Sequence, residues 1–278
     1  MPHKFRGLAL HTWTVDTTPL DGALTAARQG GFDAVELRRV DFLRNREKGL
    51  TDSQTVDQVK KSGLPAACVG VEYGWIFSAG AETDRLMGSI KEACGHATAL
   101  GCKNLMSAIG PGEASLDQAV DNIRRAGDIV GAAGLTIALE YQFQHPVVRT
   151  LDILRELIAK AQGATGNKSV GVLLDAYHLQ RGGRPGAGFK DVPEAEIFYV
   201  QYSDVPDAPP NGPPPTDRLA PGRGVGKWGD FFQLLAAKNY TGYLSYEAPN
   251  PAHWNRPAAD AAREGAEATR LKLAQAFP

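Results

Sequence analysis

The chain alternates between short apolar runs and longer amphipathic stretches, and this alternation repeats along all 278 residues. The apolar runs are of strand length and the amphipathic stretches are of helix length. Strands are predicted at 7–13, 33–37, 66–72, 104–109, 136–141, 169–175, 197–204 and 243–247, and helices at 18–30, 51–62, 81–100, 115–133, 150–162, 228–238 and 258–276. Eight such repeats in a chain of this length favour one α/β domain over 1–278, a (β/α)8 TIM barrel.

A doubly wound open sheet is the alternative fold, but it typically carries a glycine-rich phosphate loop after its first strand, and this chain has none there. The segment 180–191 is rich in Gly and Arg and predicts at most a short helix. The segment 207–226 contains six prolines between the seventh strand and its helix. A long loop there predicts an active-site loop at about 205–226, with a stiff surface linker as the alternative.

Charge, cysteine content and the length of the apolar runs predict the kind of ligand and the location of the protein. There are 30 basic and 31 acidic residues, which argues against a nucleic-acid ligand. The three cysteines form no CxxC pair, so reduced thiols and a cytoplasmic location are expected. The N-terminal segment 1–6 has no apolar run of signal-peptide length, and no apolar run is long enough to predict a membrane span. The sequence allows a homo-oligomer.

Polar residues stand at the carboxyl ends of the last four predicted strands. Glu140 follows TIAL, Asp175 follows VGVLL, Gln201 follows IFYV and Glu247 follows YLSY. Barrel enzymes build their active sites at this end of the strands. We therefore expect the four side chains to converge on one position at the mouth of the barrel.

Three converging carboxylates repel each other and are costly to bury without a cation. Carboxylate and amide oxygens form a hard ligand set that suits Mg²⁺ or Mn²⁺ better than a thiolate-preferring metal. Taken singly, each residue is equally well explained as a salt bridge at a strand end. Taken together, Glu140, Asp175, Gln201 and Glu247 predict a site for one divalent metal ion, Mn²⁺ or Mg²⁺.

The segments ALEY, LLDAYH, YVQYSD, PGRG and YLSYE resemble the xylose isomerase-like TIM barrel family. That family includes sugar epimerases, inosose-processing enzymes, hydroxypyruvate isomerases and 3-dehydroshikimate dehydratases. The resemblance implies one metal held by the four residues above, with Glu140 and Glu247 also transferring protons. Gln201 stands where many members carry His, and in this it resembles the hydroxypyruvate isomerase and dehydroshikimate dehydratase branches.

This resemblance implies an isomerase or epimerase that acts on a keto-sugar, keto-polyol or small hydroxycarbonyl compound through an enediolate. The alternative is a metal-dependent dehydratase, a lyase resembling 3-dehydroshikimate dehydratase. Cleavage of DNA, known for one relative of this fold, needs several metals and more histidines than the six present. A non-catalytic sugar-binding subunit is disfavoured by the intact set of four ligands.

Three further residues are candidates for substrate binding on the same resemblance. His178 completes a DxxH pattern with Asp175, and its alternative role is to orient that carboxylate. Arg218 resembles the arginine that contacts substrate oxygens in the family's R-x-x-P-G-x-G stretch. Arg223 departs from that stretch, where relatives often carry Glu or Gln, and indicates an anionic or more oxygenated substrate.

Weaker candidates for the pocket follow earlier strands. His11 ends the first predicted strand and Glu72 ends the third, whereas Trp13 offers a flat apolar face against sugar C–H groups. Ordinary packing explains the histidine and the tryptophan equally well.

Overall fold

Eight parallel strands close into a barrel in the computed structural model, which describes residues 3–163 and 166–278. Met1 and Pro2, which belong to the N-terminal segment considered above, lie outside the described residues. Each strand pairs with the next, and β1 pairs with β8. The prediction of a (β/α)8 TIM barrel is therefore confirmed. The strands are β1 (Gly7–His11), β2 (Ala34–Leu37), β3 (Ala66–Gly70), β4 (Asn104–Ala108), β5 (Thr136–Glu140), β6 (Val170–Asp175), β7 (Ile197–Tyr202) and β8 (Tyr243–Tyr246).

Helices cover the outside of the barrel between the strands. They are α1 (Leu20–Gly30), α2 (Arg39–Glu47), α3 (Asp52–Ser62), α4 (Gly80–Leu100), α5 (Leu116–Ala132), α6 (Leu151–Gly163), α7 (Ala176–Arg181), α8 (Trp228–Ala237), α9 (Pro251–Trp254) and α10 (Ala258–Ala276). Residues next to the helix termini define where several helices begin or end. Thr51 and Gln54 form a reciprocal cap on α3, and Gly101 ends α4 in the left-handed conformation.

Two apolar cores follow from the alternation of side chains along each strand. Outward-facing residues pack against the helices in the larger core. Inward-facing residues fill the barrel in a smaller core that includes Ala9, Ala34, Ala138, Leu173 and Tyr199. The next inward position along these strands, two residues later, lies at the mouth of the barrel.

Local differences from the sequence prediction lie at element ends and in two missed helices, α2 and the four-residue α9. The first strand stops at His11 because Thr12–Val15 turns into a 3-10 helix. The buried residues of α2 are mostly polar, so no apolar stripe marks this helix in the sequence. After β6 the helix covers Ala176–Arg181, earlier than the segment 180–191 that was considered for it.

Within residues 3–163 and 166–278, no helix combines the length and apolar character that a membrane crossing requires.

Candidate active site

Four neighbouring strands bring the predicted ligands to the mouth of the barrel. Glu140 lies two residues after the inward-facing Ala138, and Gln201 lies two residues after Tyr199. Asp175 pairs in register with Gln201, and Glu247 directly follows β8. All four are at most 5% exposed. The alternation of the strands thus turns polar strand ends into one buried polar cluster.

Arg218 inserts into this cluster from the loop between β7 and α8. One nitrogen, Nη1, donates to Asp175 Oδ2 at 2.7 Å and to Glu247 Oε2 at 2.8 Å. The other terminal nitrogen, Nη2, lies 3.4 Å from His178 Nε2. Because a guanidinium only donates, this histidine nitrogen accepts and its proton lies on Nδ1.

Glu140 faces the same point from β5. Its Oε1 lies 3.7 Å from His178 Nε2. Potential ligand atoms of Glu140, Asp175 and His178 all lie within 4.8 Å of one another. Oε1 of Glu140 is buried and has no hydrogen-bond partner within the described ranges.

Gln201 is oriented by a carboxylate that sequence reasoning missed. Its Nε2 donates to Glu36 Oε1 at 2.8 Å, which leaves its Oε1 buried and without a partner among the described residues. Glu36 is a fully buried residue of β2. The signal was available, because it is the one charged residue in the apolar run AVEL.

His11 lies between two of these acids. Its Nδ1 accepts from the backbone N–H of Trp13 at 3.1 Å, so the neutral ring carries its proton on Nε2. That nitrogen lies 3.3 Å from Glu247 Oε1 and 3.7 Å from Glu36 Oε1. The contact joins Glu36 to the rest of the cluster.

Burial and mutual repulsion keep protons on the acids. Burial, followed by the charges of Glu247 and Asp175, raises the pKa of Glu140 well above its ordinary value. Burial raises the pKa of Glu247 to about 7, although Arg218 opposes the rise. Burial raises the pKa of Glu36 to about 8. The cluster therefore has an excess of acidic groups over its one guanidinium.

The two histidines respond in the opposite direction. Burial lowers the pKa of His178 to about 4, and Arg218 adds to this effect. Burial also lowers the pKa of His11 well below its ordinary value, with further lowering by Arg38 and Arg218. Both rings are therefore neutral near pH 7 and able to accept or donate hydrogen bonds without charge.

These observations fit a divalent cation. If ionised, Glu140, Asp175 and Glu247 leave two negative charges after Arg218 is counted. The buried, unpartnered oxygens of Glu140 and Gln201 are the kind of hard donors that such an ion takes. The residues that could hold it are the four predicted ones, with His178 beside them.

Of the six predicted substrate residues, three belong to the cluster, one follows it closely in sequence, and two lie away from it. His11, His178 and Arg218 are part of it, and Trp13 lies two residues beyond His11. Glu72 is paired with Arg39 of α2 and Arg85 of α4. The side chain of Arg223 is 69% exposed and lies 3.9 Å from Glu264 of α10. The structure therefore does not bring Glu72 or Arg223 to the other candidates.

A second group of potential ligands lies outside the barrel and consists of Asp52, Glu92 and His96. Arg46 already bridges Asp52 and Glu92, and His96 stacks on Phe42. The guanidinium of Arg46 therefore already supplies the positive charge that these two acids require.

The chain belongs to the xylose isomerase-like TIM barrel family, whose pattern matches residues 24–272. A 3-dehydroshikimate dehydratase of Pseudomonas putida is 31% identical over 56% of this chain and 25% of that protein. An inosose isomerase of Halalkalibacterium halodurans is 25% identical over 54% of this chain and 52% of that protein. The matched part of the chain thus spans a quarter to about half of these two relatives. A Streptomyces coelicolor protein named as a hydroxypyruvate isomerase is 28% identical over 82% of this chain and 85% of its own length.

Solved structures share the fold at low identity. The IolI protein, whose structure holds a zinc atom, superposes with a TM-score of 0.84 at 19% identity and covers 98% of this chain and 99% of its own. A D-allulose 3-epimerase from Methylomonas sp. in complex with D-allulose gives a TM-score of 0.75 at 17% identity and covers 98% of each chain. The relatives are thus named as isomerases, epimerases and a dehydratase.

Proposed function

We propose that this chain is a divalent-metal-dependent isomerase or epimerase of an uncharged keto-sugar or keto-polyol. The observation that carries the proposal is the buried cluster at the ends of β5 to β8, which contains Glu140, Asp175, Gln201 and Glu247 and in which Arg218 bridges Asp175 and Glu247. Mn²⁺ or Mg²⁺ at the four oxygens would act as a Lewis acid that polarises the carbonyl group of the substrate.

Glu140 and Glu247 are the proposed proton-transfer groups. In the metal-free protein burial raises the pKa of both groups, that of Glu247 to about 7, and a bound divalent cation would lower both, so that each would be ionised at rest and able to take up a proton. One carboxylate removes the proton beside the carbonyl, which gives an enediolate, and either this proton or one that the other carboxylate has taken up from solvent returns to carbon. Return to the same carbon from the opposite face gives an epimer, and return to the neighbouring carbon gives an isomer.

The arginines near the mouth support an uncharged substrate. Arg218 pairs with Asp175 and Glu247, and the other partly buried arginines of these loops also pair with acids: Arg38 with Asp16, Arg181 with Asp217, and Arg184 with Asp191. With a divalent cation, the three ionised ligand carboxylates and Arg218 sum to zero charge. The carboxylate of a keto acid would lack a basic side chain of its own among these arginines.

The second candidate is a dehydratase that removes a β-hydroxyl group from a compound such as 3-dehydroshikimate. It is favoured by the 31% identity to the Pseudomonas putida enzyme and by Gln201 in place of His. The same base would remove the proton, so the two candidates differ in the fate of the enediolate.

The test is a screen of ketoses, inososes, hydroxypyruvate and 3-dehydroshikimate with Mn²⁺ in D₂O. We expect deuterium in the carbon next to the carbonyl of an uncharged ketose or inosose. An unsaturated, ultraviolet-absorbing product from 3-dehydroshikimate would favour the dehydratase instead.

Glu140→Gln and Glu247→Gln should each lower turnover by at least about 10²-fold, because each removes a proton-transfer group. Glu113→Gln, in the exposed loop after β4, is the matched control and should keep full activity. Full turnover after chelation of divalent metal would contradict the metal-dependent function.

A further inference from the structure

Arg218 reaches the carboxylates from the long loop between β7 and α8, yet its side chain is only 3% exposed. A side chain on a long loop keeps one position only when the adjacent backbone is fixed, because ordering a flexible segment costs conformational entropy. The residue before it, Asp217, makes contacts that provide such a fixation.

Asp217 is held by two residues of α7. The hydroxyl of Tyr177 donates to Asp217 Oδ1 at 2.7 Å, and Arg181 Nη2 donates to Oδ2 at 3.0 Å. Arg181 Nη1 also donates to the carbonyl oxygen of Ala208, in the same loop. We call Tyr177, Arg181 and Asp217 the Asp217 latch.

Tyr177 connects this latch directly to the cluster. Its ring lies 4.4 Å from the guanidinium carbon of Arg218, a cation–π contact. Its backbone N–H donates to Asp175 Oδ1 at 2.9 Å. One residue therefore contacts the loop, the arginine and a proposed metal ligand.

We propose that the Asp217 latch is a positioning device that holds Arg218 between Asp175 and Glu247 and thereby weakens the binding of a divalent cation to these carboxylates. The proposal rests on the proposed function, because it takes Asp175 and Glu247 as metal ligands. A guanidinium fixed on two ligand oxygens repels an incoming cation and occupies lone pairs that the cation would use. Loosening the latch lets Arg218 withdraw and strengthens cation binding.

The loop should keep its fold when the Asp217 latch is broken, because other contacts also hold its backbone. The carbonyl oxygen of Arg218 accepts from Asn250 Nδ2 at 3.0 Å, and Leu219 pairs with the backbone of Asp204 in both directions. These contacts hold the segment after Asp217 when the latch is broken. Removal of the Tyr177 hydroxyl should therefore shift the position of Arg218 while the loop stays attached.

The experiment measures the Mn²⁺ dissociation constant of the metal-free full chain by calorimetry. Tyr177→Phe keeps the ring and every charge, and should tighten Mn²⁺ binding by roughly three- to tenfold, within the usual range of coupling between contacting residues. Arg218→Met should tighten it further. Adding Tyr177→Phe to Arg218→Met should change nothing more, because the hydroxyl acts through Arg218.

A matched pair of variants controls for the loss of one negative charge from the loop. Asp217→Asn and Asp207→Asn remove the same charge from the same loop, but Asp207 is exposed and carries no latch contact. Asp217→Asn should bind Mn²⁺ more tightly than Asp207→Asn. Equal constants for the pair, or a Tyr177→Phe effect that persists unchanged beside Arg218→Met, would overturn the latch and leave the proposed function standing.

A second measurement needs neither the metal nor the Arg218 variant. Amide hydrogen exchange at 216–218 in metal-free protein should be faster in Tyr177→Phe than in wild type and unchanged in Asp207→Asn. Unchanged exchange in Tyr177→Phe would overturn the latch. Wild-type protein that binds no Mn²⁺ would overturn the proposed metal function and, with it, the role of the latch in cation binding.

Discussion

Glu36 illustrates what a single buried acid does to this protein. It is fully buried, accepts from Gln201 Nε2, and lies beside His11, itself a contact of Glu247. Its pKa of about 8 means that the folded state holds this proton across a pH range in which the unfolded chain does not. The free energy of unfolding therefore falls as pH rises from the ordinary value of a glutamate to about 8.

We predict that Glu36→Gln flattens the pH dependence of stability in metal-free protein. Gln keeps an acceptor for Gln201 but cannot ionise. Between pH 6.5 and 8, the wild type should lose roughly 1 to 2 kcal/mol more than the variant. The measurement is the free energy of unfolding by urea at both pH values.

The histidines and the buried acids change the free energy of unfolding with pH in opposite directions, and the acids contribute most between pH 6.5 and 8. His178 has a folded pKa of about 4, below its ordinary value, so its contribution to stability is lost as pH falls below about 6.5. Above that pH the acids dominate, and Glu247 and Glu140 keep a residual slope in the variant. Equal slopes for Glu36→Gln and wild type would contradict the raised pKa.

The sequence predicts the position of a site residue where the alternation of side chains along a strand is enough to place it. Alternation along a strand places Glu140, Asp175 and Gln201 inward, and the same rule applied to β2 would have found Glu36. Glu72 lies beyond the end of β3, where alternation no longer holds, and its partner Arg39 belongs to a helix without an apolar stripe. The ligand and catalytic roles of the cluster stay predictions.

At the scale of elements, the loop between β7 and α8 is organised by one buried acid, Asp204. Its carboxylate accepts from the backbone N–H groups of Gly222 and Gly226 at 2.6 and 2.8 Å, and from the indole of Trp228 at 3.0 Å. These donors would lose their partner if the carboxylate were absent. The loop is therefore built around Asp204 and delivers Arg218 from that frame.

Asp204→Ala should destabilise the protein by roughly 2 to 4 kcal/mol, because several buried donors lose their acceptor. Urea denaturation measures this loss, and Asp207→Ala, on the exposed part of the same loop, should change stability by less than about 0.5 kcal/mol. A loss no larger for Asp204→Ala than for Asp207→Ala would show that the loop is held elsewhere.

Element boundaries depend on contacts that the local sequence does not contain. The proline content of 207–226 predicts an irregular loop, but the inward path of that loop depends on Asp204, just after β7, and on Tyr177 and Arg181 of α7. Periodicity likewise finds the long helices α4 and α10 and misses α2, whose Asn45 is fixed by hydrogen bonds to Thr55 and Gln58 of α3.

At the scale of the whole molecule, closure of the barrel gathers acids from distant parts of the chain. Glu36 and Gln201 are 165 residues apart and share a hydrogen bond, and Arg218 joins Asp175 and Glu247. Repulsion among the acids lowers the stability of the metal-free barrel, since Asp175 and Glu247 both raise the pKa of Glu140 after burial. A cation that binds only the folded barrel would offset this repulsion for the entire domain.

We therefore predict that Mn²⁺ raises the melting temperature of the wild type by about 5 °C or more at roughly 100 times its dissociation constant, since such an excess adds about 2.7 kcal/mol. At one fixed Mn²⁺ concentration, the increase in melting temperature should be larger at pH 8 than at pH 5.5, where protons compete with the cation for the carboxylates. Differential scanning calorimetry should find little increase for Glu140→Gln or Asp175→Asn. Glu92→Gln, in the outer group bridged by Arg46, should respond as the wild type does. A Mn²⁺ response lost in Glu92→Gln but kept in Glu140→Gln would move the cation from the barrel mouth to the outer surface.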